Sequence, residues 1–585
     1  MESNKISLIS LIVALMLCFI CYYPALFAPF YIDDFGSIVN NQKLFQLNLM
    51  ELFQVYGMRF VGYLSFALNG NLFEQLEPSH FRVVNLIIHF LVSTFVFFVI
   101  RKLIRINKHL SNTGNQQLIL FYLPFVLSIL YLIHPLNTQA VTYVVQRLAS
   151  LVALFYISSF YFYLLARTAI SKKSIVFYTL LSVIMFVFAM FTKQNAVTLP
   201  LIIILSEFIF FRQGNVLKLS KIFKIVIVIT SVLFLLFFLK DQIIQLLISI
   251  DNFTRETQLI SRSDYAATQT LMLWDYICKF FIPVGLQLNY SNQLLGTFTE
   301  PKIIIALVGH VTMILIAFKL RSKSPLAAFG ILFYYVAHLV ESSIIPITDL
   351  GFEHRAYLPN IGFIIAIAGF IMMLAESFTL KAIKYALAFL TFVIVIFSIT
   401  TINRNSLWSD KLAFSKNEIL VSPQSVRALT MLAAEYLNRD ERGNALQYYQ
   451  EAINLSVANK TVSFDLLRDY IKTLYSLGQY ESAGPLTTLV MKYTNAHKRK
   501  DRSELLALIA VSHREAGRLG FAKGLLLQAT KLDPDNGYAH HQLATVLWNM
   551  GQREEAMGIL RRFQIKHSDD PKISSLLDQM LTIEN

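Results

Sequence analysis

The sequence predicts an all-α protein in two parts, a polytopic bundle of membrane helices and then a smaller soluble domain of helical repeats. The chain has 585 residues, of which 55% are hydrophobic and only 15% charged, with a mean hydropathy of +0.54. Such a composition lies outside the usual range of soluble proteins. Apolar runs recur as far as residue 402, and a repeat appears after Trp408 as the hydropathy drops. We therefore predict a membrane domain at 1–405 and a repeat domain at 406–585.

Hydrophobic runs in the first part predict about eleven membrane spans. A helix needs roughly 20 apolar residues to cross a bilayer, so the shorter runs would be tilted or re-entrant. The runs lie near 8–30, 83–104, 118–133, 148–166, 174–191, 196–211, 222–239, 302–319, 325–340, 356–375 and 382–402.

The distribution of charge predicts the orientation of these spans. Residues 1–405 carry 29 Lys and Arg against 17 Asp and Glu, whereas 406–585 carry 22 against 20. With the N-terminus inside, every short inside loop is basic, as the positive-inside rule requires. The acidic residues other than Glu2, Glu207 and Glu376 then lie outside, in long segments such as 31–80 and 241–300. The positive surplus thus indicates membrane topology rather than nucleic-acid binding, and the odd span count places the repeat domain outside.

Two adjacent carboxylates, Asp33 and Asp34, directly follow the first hydrophobic run. Carboxylates are costly near hydrocarbon, and neighbouring ones disfavour each other's ionised form. Their position alone fits either a polar cap on a helix end or a site that uses the charge.

Further charged residues are predicted at the same outer face. Carboxylates beside several cations fit a site that activates a neutral hydroxyl next to an anionic group, because a carboxylate accepts a proton while Arg and Lys hold phosphate. Glu207 lies inside a span, where it is either functional or paired with a Lys or Tyr of a neighbouring helix. The outer-face candidates are Asp33, Asp34, Arg59, His80, Arg82, His89, His134, Arg147, Lys193, Glu341, Asp349, Glu353, His354 and Arg355.

The second part contains a repeat in which a glycine precedes an alanine by five residues. It is visible in GQYESAGPL (478–486), GRLGFAKGL (517–525) and GQREEAMGI (551–559). The pattern resembles the tetratricopeptide repeat, whose stacked helical hairpins form a concave binding surface. A plain helical bundle is the alternative. Either structure indicates binding or scaffolding, since the segment has no catalytic constellation. The anchor alanines are Ala445, Ala483, Ala522 and Ala556.

Six motifs in order resemble the transmembrane and tetratricopeptide-repeat proteins of the GT-C glycosyltransferase superfamily. The eukaryotic members are protein O-mannosyltransferases, and this chain looks like a bacterial-type member. The resemblance covers essentially the whole chain. The motifs are YIDDFGSIVNN, FRVVNLIIHF, HPLNTQAVTYVVQRLASLVALFY, FTKQNAVTLPLIIILSEFIFF, FEHRAYLPNIGF and TINRNSLWSD.

The resemblance implies transfer of a sugar from a polyprenyl-phosphate carrier to a protein Ser/Thr hydroxyl or a glycan at the outer face. In that superfamily an acidic residue of the first external loop is essential, and Asp33 and Asp34 match it, as base for the acceptor or as ligands of a divalent metal. The repeats would bind the acceptor protein or another partner. The Lys193-Gln194 step departs from the Lys-Glu expected in related bacterial chains. The donor-phosphate candidates are Arg147, Lys193, His354 and Arg355, and the further site candidates are Arg59, His134, Glu353 and Glu207.

Two other functions remain open at this stage. One is an oligosaccharyltransferase or ligase that moves a whole glycan from a pyrophosphate carrier, and the other is a non-catalytic membrane scaffold or transporter that acts through its repeats. The first span lacks a cleavage site of the A-x-A type, and we expect it to be retained. The expected location is a bacterial inner membrane, with the repeats in the periplasm.

Overall fold

The protein is described here by a computed structural model. It describes residues 2–73, 76–107, 118–211, 260–288, 290, 294–347, 349–377, 380–459, 461–493, 499–567 and 571–584. No strand occurs among these residues, which confirms the all-α prediction. The chain divides into two compact units, Met1–Phe414 and Ser415–Asn585. The predicted boundary at 405 falls within a helix that continues to Ser409, because hydropathy decreases before the helix ends.

The first unit consists mainly of apolar helices. Seven helices in the described part are long and apolar enough to cross a membrane, or eight if a bent pair, Leu120–Leu132 and Pro135–Thr142, is one span. Each predicted run in the described residues coincides with an apolar helix, two of them short, while 222–239 lies outside those residues. The total of eleven stays a prediction. The α-helices are α1 (Glu2–Leu26), α2 (Leu49–Tyr56), α3 (Phe60–Asn71), α4 (Pro78–Ile106), α5 (Leu123–Leu132), α6 (Thr138–Thr142), α7 (Arg147–Thr168), α8 (Lys172–Met190), α9 (Leu199–Ser206), α10 (Arg262–Phe281), α11 (Pro301–Leu320), α12 (Pro325–His338), α13 (Asn360–Ser377) and α14 (Leu380–Ser409).

A break between α5 and α7 creates the short buried helix α6. The chain bends by 51° between Leu120–Leu132 and Pro135–Thr142. Pro135 has no N–H to continue the α5 ladder, and His134 caps the next turn by accepting from the Leu136 N–H at 3.2 Å. Every residue of α6 is buried. The break therefore holds one polar helical turn inside an otherwise apolar bundle.

Helices α12 and α13 approach each other closely through glycines. A methyl group added to Gly330 would come within 3 Å of backbone atoms of Gly362 and Ala366, and one added to Gly369 would meet the backbone of Ala327. Small residues allow such close approach between membrane helices, where packing replaces the hydrophobic effect as the driving force. The segment 339–359, which joins the two helices, thus starts and ends on a tightly packed pair.

The second unit is a succession of helical hairpins, as the repeat pattern predicts. Its anchor alanines are fully buried, and the glycines that precede three of them, Gly478, Gly517 and Gly551, have left-handed φ angles of 69°, 73° and 81°. Asp440 has φ 60° at the equivalent position of the first hairpin. Glycine suits this position because it has no side chain to clash in the left-handed region. The remaining helices are α15 (Lys411–Val421), α16 (Val426–Asn438), α17 (Arg442–Ala458), α18 (Phe464–Ser476), α19 (Leu486–Tyr493), α20 (Arg499–Glu515), α21 (Leu519–Leu532), α22 (Gly537–Asn549), α23 (Arg553–Lys566) and α24 (Pro571–Glu584).

Candidate functional site

The second carboxylate of the acidic pair, Asp34, is fully buried and bonded to the backbone. Its Oδ2 accepts from the Tyr31 N–H at 3.0 Å, and its Oδ1 accepts from the Val145 N–H at 2.8 Å. Burial raises its pKa to about 7, although the two hydrogen bonds and the charge of Arg82 favour the ionised form. Asp34 therefore ties the loop after α1 to the turn before α7.

The first carboxylate, Asp33, is only partly buried. Its backbone N–H donates to the Tyr143 hydroxyl at 2.8 Å, which fixes its place beside the end of α6. Since both oxygens of Asp34 already accept backbone hydrogen bonds, Asp33 is the member of the pair with the more accessible carboxylate. It is chemically able to accept a proton from a hydroxyl group.

A second group of charges forms around Lys193, which lies between α8 and α9. Its Nζ is 2.5 Å from Oε1 of Glu341, and only about a tenth of either side chain is exposed. Burial lowers the pKa of Lys193, Glu341 raises it, and the nearby charges of Arg59 and Arg355 lower it further. Three cations, Lys193, Arg59 and Arg355, thus act on one another beside two carboxylates, Glu341 and Asp349, and the group keeps a net positive charge.

Arg355 lies in the same group and binds the carbonyl groups of its own loop. It donates to the Asp349 oxygen at 2.7 Å and to those of Leu350 and Glu341 at 3.3 Å. Its guanidinium is therefore oriented by the backbone beside the Lys193 pair.

His354 is also part of this group, but as an uncharged ring. Its pKa is held well below the usual value by burial and by the charges of Lys193 and Arg355. Its backbone N–H donates to Oε1 of Gln139 at 2.7 Å, and its Nδ1 lies 3.1 Å from the same oxygen. A neutral ring that donates from Nδ1 has a lone pair on Nε2. His354 therefore presents an acceptor rather than a positive charge.

Helix α6 connects the two groups. Gln139, near its start, contacts His354, and Tyr143, immediately after its end, contacts Asp33. The structure thus brings Asp33, Lys193, His354 and Arg355 into one region, with Arg59 within electrostatic range of Lys193.

Arg147 does not lie among these cations. Its guanidinium is fully buried and donates to Asn85 and Asn69 at 2.6 Å, and to the carbonyl oxygens of Ser65 at 3.0 Å and Phe81 at 2.9 Å. These contacts hold α3 and α4 against the start of α7. In this conformation the donors of Arg147 are not directed to a phosphate.

Two other candidates, Glu353 and His134, have interior partners. Glu353 is fully buried, accepts from the Gln287 N–H, and lies 3.8 Å from Arg404. His134 stacks on the Phe280 ring and bonds its carbonyl oxygen at 2.9 Å. Both positions support packing between helices.

The remaining candidate, Glu207, lies at the far end of the helices. It accepts from the Tyr163 hydroxyl at 2.6 Å and from Arg167 at 2.7 Å. Arg167 is twenty residues along α7 from Arg147, or about 30 Å. Glu207 is therefore paired, as the structural alternative predicted, and belongs to another region of the unit.

The acidic pair does not form a good metal site. Both oxygens of Asp34 accept backbone N–H groups, so only Asp33 has a carboxylate to offer. Within the described ranges, no three His, Cys, Asp or Glu side chains converge as a metal ion would need. This donor set does not fit a divalent ion.

Three uncharged residues of the site were not candidates in the sequence analysis, namely Gln139, Tyr143 and Asn195. All three occur in the motifs that carry the family resemblance. Asn195 donates from Nδ2 to Oε2 of Glu341 at 3.4 Å, and so completes the group around Lys193. Their position within those motifs was the only signal available.

Comparison with known proteins supports the resemblance. Protein O-mannosyl-transferase TMTC3 of Homo sapiens is 23% identical over 91% of this chain and 61% of its own length. Protein O-mannosyl-transferase F38B6.6 of Caenorhabditis elegans is 23% identical over 72% of this chain and 58% of its own. The chain is thus similar in sequence to proteins named protein O-mannosyl-transferases. Human TMTC4, also called a protein O-mannosyl-transferase, is 28% identical over 31% of this chain and 26% of its own length.

The repeat domain matches a known family as well. The family model of the tetratricopeptide repeat matches residues 513–580, which include α21 to α23. The chain spans about three fifths of the length of the TMTC3 relatives. The family match therefore supports the predicted repeats of the second unit.

Proposed function

We propose that this protein is a glycosyltransferase that moves mannose from a polyprenyl-phosphate carrier to a hydroxyl group of an acceptor protein. The observation that carries the proposal is that α6 contacts Asp33 through Tyr143 and, through Gln139, contacts His354, on which the charge of Lys193 acts. A proton acceptor and a set of cations in one region suit the attack of a hydroxyl group on a glycosyl phosphate. Several relatives carry the name protein O-mannosyl-transferase.

In the proposed reaction Asp33 takes the proton of the acceptor hydroxyl. The hydroxyl oxygen forms a bond to the anomeric carbon while the bond from that carbon to the phosphate oxygen breaks, and the configuration inverts. Polyprenyl phosphate leaves with the electron pair. Asp34 contributes by positioning, because its bonds to Tyr31 and Val145 fix the loop that carries Asp33.

The leaving phosphate would be stabilised by Lys193, Arg355 and Arg59. In the structure Lys193 is paired with Glu341, so the phosphate would compete with that carboxylate for the ammonium group. Arg355 is already oriented by its loop and would need little rearrangement. Preorganised charges of this kind stabilise a developing anion without reorganisation cost.

We also propose where the reaction takes place. The positive-inside distribution of charge supports an active site and repeats on the outer side of the membrane, which in a bacterium is the periplasmic side of the inner membrane. The tetratricopeptide-like unit would recruit the acceptor protein or an assembly partner. This arrangement brings acceptor hydroxyl groups to the same side as Asp33.

The proposal is tested by separating the two aspartates. The full chain in lipid nanodiscs is given polyprenyl-phosphate mannose and a Ser/Thr-rich peptide, and mannosylated peptide is measured by mass spectrometry. Asp33→Asn should lower kcat by 10² to 10⁴-fold, as loss of a general base does, without changing thermal stability. Glu207→Gln alters a carboxylate in the other region and should leave the rate nearly unchanged. A stable Asp33→Asn protein with full activity would refute the mechanism.

A further inference from the structure

Two amide side chains at this site are buried, and each has one polar atom without a hydrogen-bond partner among the described residues. Gln139 is fully buried and Asn195 is 4% exposed. Nε2 of Gln139 and Oδ1 of Asn195 have no hydrogen-bond partner among the described residues. Most buried polar atoms in folded proteins are paired, so each exception needs an explanation.

The orientation of both amides is determined by their partners. Oε1 of Gln139 receives the backbone N–H of His354 at 2.7 Å, and only the oxygen of the amide can accept it. Nδ2 of Asn195 faces the carboxylate of Glu341, which can only accept when ionised. The unsatisfied atoms are therefore a donor on Gln139 and an acceptor on Asn195, and flipping either amide would break a contact.

Both amides belong to the group of cations described above. Gln139 holds His354, on which Lys193 and Arg355 act electrostatically, and Asn195 shares Glu341 with Lys193. A phosphate would satisfy the cations and could accept from Gln139, but a fully ionised phosphate ester offers no hydrogen to Asn195. A hydroxyl group offers both a donor and an acceptor. The ligand that satisfies the whole group is a polyhydroxylated molecule attached to a phosphate.

We propose that Gln139 and Asn195 bind hydroxyl groups of the sugar ring of a glycosyl phosphate and determine which sugar the protein accepts. This inference rests on the proposed function, and it adds residues that select the sugar. Gln139 donates to one hydroxyl group and Asn195 accepts from another. A site built to bond a hydroxyl group rejects an analogue that lacks it, because the buried polar atom then stays unpaired.

The decisive variants remove one unsatisfied atom each. Gln139→Met keeps the length of the side chain without the donor, and Asn195→Leu keeps the volume without the acceptor; each variant also gives up the contact of its amide with His354 or Glu341. Ser159→Ala is the matched control, since Ser159 is a buried hydroxyl that bonds Ser182 between α7 and α8. Full-length protein in nanodiscs is used for all of them.

Transfer is measured with polyprenyl-phosphate mannose and with its 2-, 3-, 4- and 6-deoxy analogues. In the wild-type protein at least one deoxy analogue should lose roughly 100-fold or more in kcat/KM. In each variant one deoxy analogue should react with the same kcat/KM as the mannose donor. The two variants should lose discrimination at different positions of the ring. Ser159→Ala should retain the wild-type pattern. The inference is wrong if both variants show the same loss of kcat/KM with every deoxy analogue as the wild type and only transfer slower with all substrates. A bound water would then satisfy the amides.

A binding measurement separates this inference from the proposed function. The affinity for polyprenyl-phosphate mannose is compared with that for polyprenyl phosphate alone by ligand-dependent thermal stabilisation. The sugar should increase the affinity of the wild-type protein by about tenfold or more, and both variants should lose that increase. This result would support the inference even if no transfer to protein were detected. Equal affinity of the wild-type protein for the two lipids would overturn it.

Discussion

Replacement of Arg147 by lysine should destabilise the membrane unit without weakening donor binding. The guanidinium donates to the side chains of Asn85 and Asn69 and to the carbonyl oxygens of Ser65 and Phe81. A lysine ammonium donates from a single atom and cannot reach acceptors on both sides of the guanidinium fork. At least two of these acceptors would lose their partner.

The expected size of the effect follows from those lost contacts. A hydrogen bond to a charged group contributes about 1.5–3 kcal/mol, and a buried acceptor left without a partner adds its desolvation cost. Arg147→Lys should therefore lower the free energy of unfolding by about 3–5 kcal/mol. The measurement is unfolding of the purified protein in mixed micelles by SDS titration, followed by circular dichroism.

Arg105→Lys is the control for this experiment, because Arg105 is an exposed arginine near the end of α4. Its free energy of unfolding should change by no more than about 0.5 kcal/mol. The KM of folded Arg147→Lys for the polyprenyl donor should equal that of the wild type. Unchanged stability together with a raised donor KM would refute this reasoning and would restore Arg147 as a phosphate-binding residue.

Three further predictions concern stability. The folded protein keeps the proton of Asp34 up to a pKa of about 7, whereas the unfolded chain releases it near pH 4. The free energy of unfolding should therefore fall by up to about 1.4 kcal/mol per pH unit as the pH rises between those values. Melting temperatures measured from pH 4.5 to 8 should show this decrease, and Asp34→Asn should flatten it. Gly551→Ala should destabilise the repeat unit by about 1 kcal/mol because φ is +81° there. Gly558→Ala should stabilise the unit by about 0.5–1 kcal/mol, because Gly558 lies within a helix and has open space for the added methyl group. Urea titrations measure both changes, and the opposite order would contradict the argument from φ. Gly330→Ala should lower the free energy of unfolding by about 1–3 kcal/mol in SDS titrations, because the added methyl group meets backbone atoms of α13. An unchanged free energy of unfolding would mean that the two helices can move apart without loss of stability.

Much of the fold was predictable because a bilayer imposes a length and a composition on each helix that crosses it. Long apolar stretches such as Pro78–Ile106 and Pro301–Leu320 are visible from hydropathy alone. The glycine and alanine spacing predicted the hairpins of the repeat unit, but not the left-handed conformation of Asp440. The end of the apolar run at residue 133 indicated the break before Pro135, but not the buried helical turn that follows it.

The site was predictable only in part. Lys193 and Arg355 were candidates because charge near hydrocarbon is costly and therefore conspicuous. Arg147 was equally conspicuous, and only its bonds to Asn85 and Asn69 reveal its structural surroundings. Gln139 and Asn195 are uncharged, and their unsatisfied atoms depend on which partners the packing supplies. Sequence identifies the charged groups, whereas pairing between distant segments has to be seen in three dimensions.

The close glycine packing of α12 against α13 has a consequence for the loop at 339–359. This loop carries Glu341, His354 and Arg355, and both of its ends are fixed by helices whose backbones touch. A loop with fixed ends has fewer conformations to lose when it closes around a ligand. Under the proposed function, Gly330 and its partners increase affinity for the donor by lowering the entropic penalty of ordering this loop.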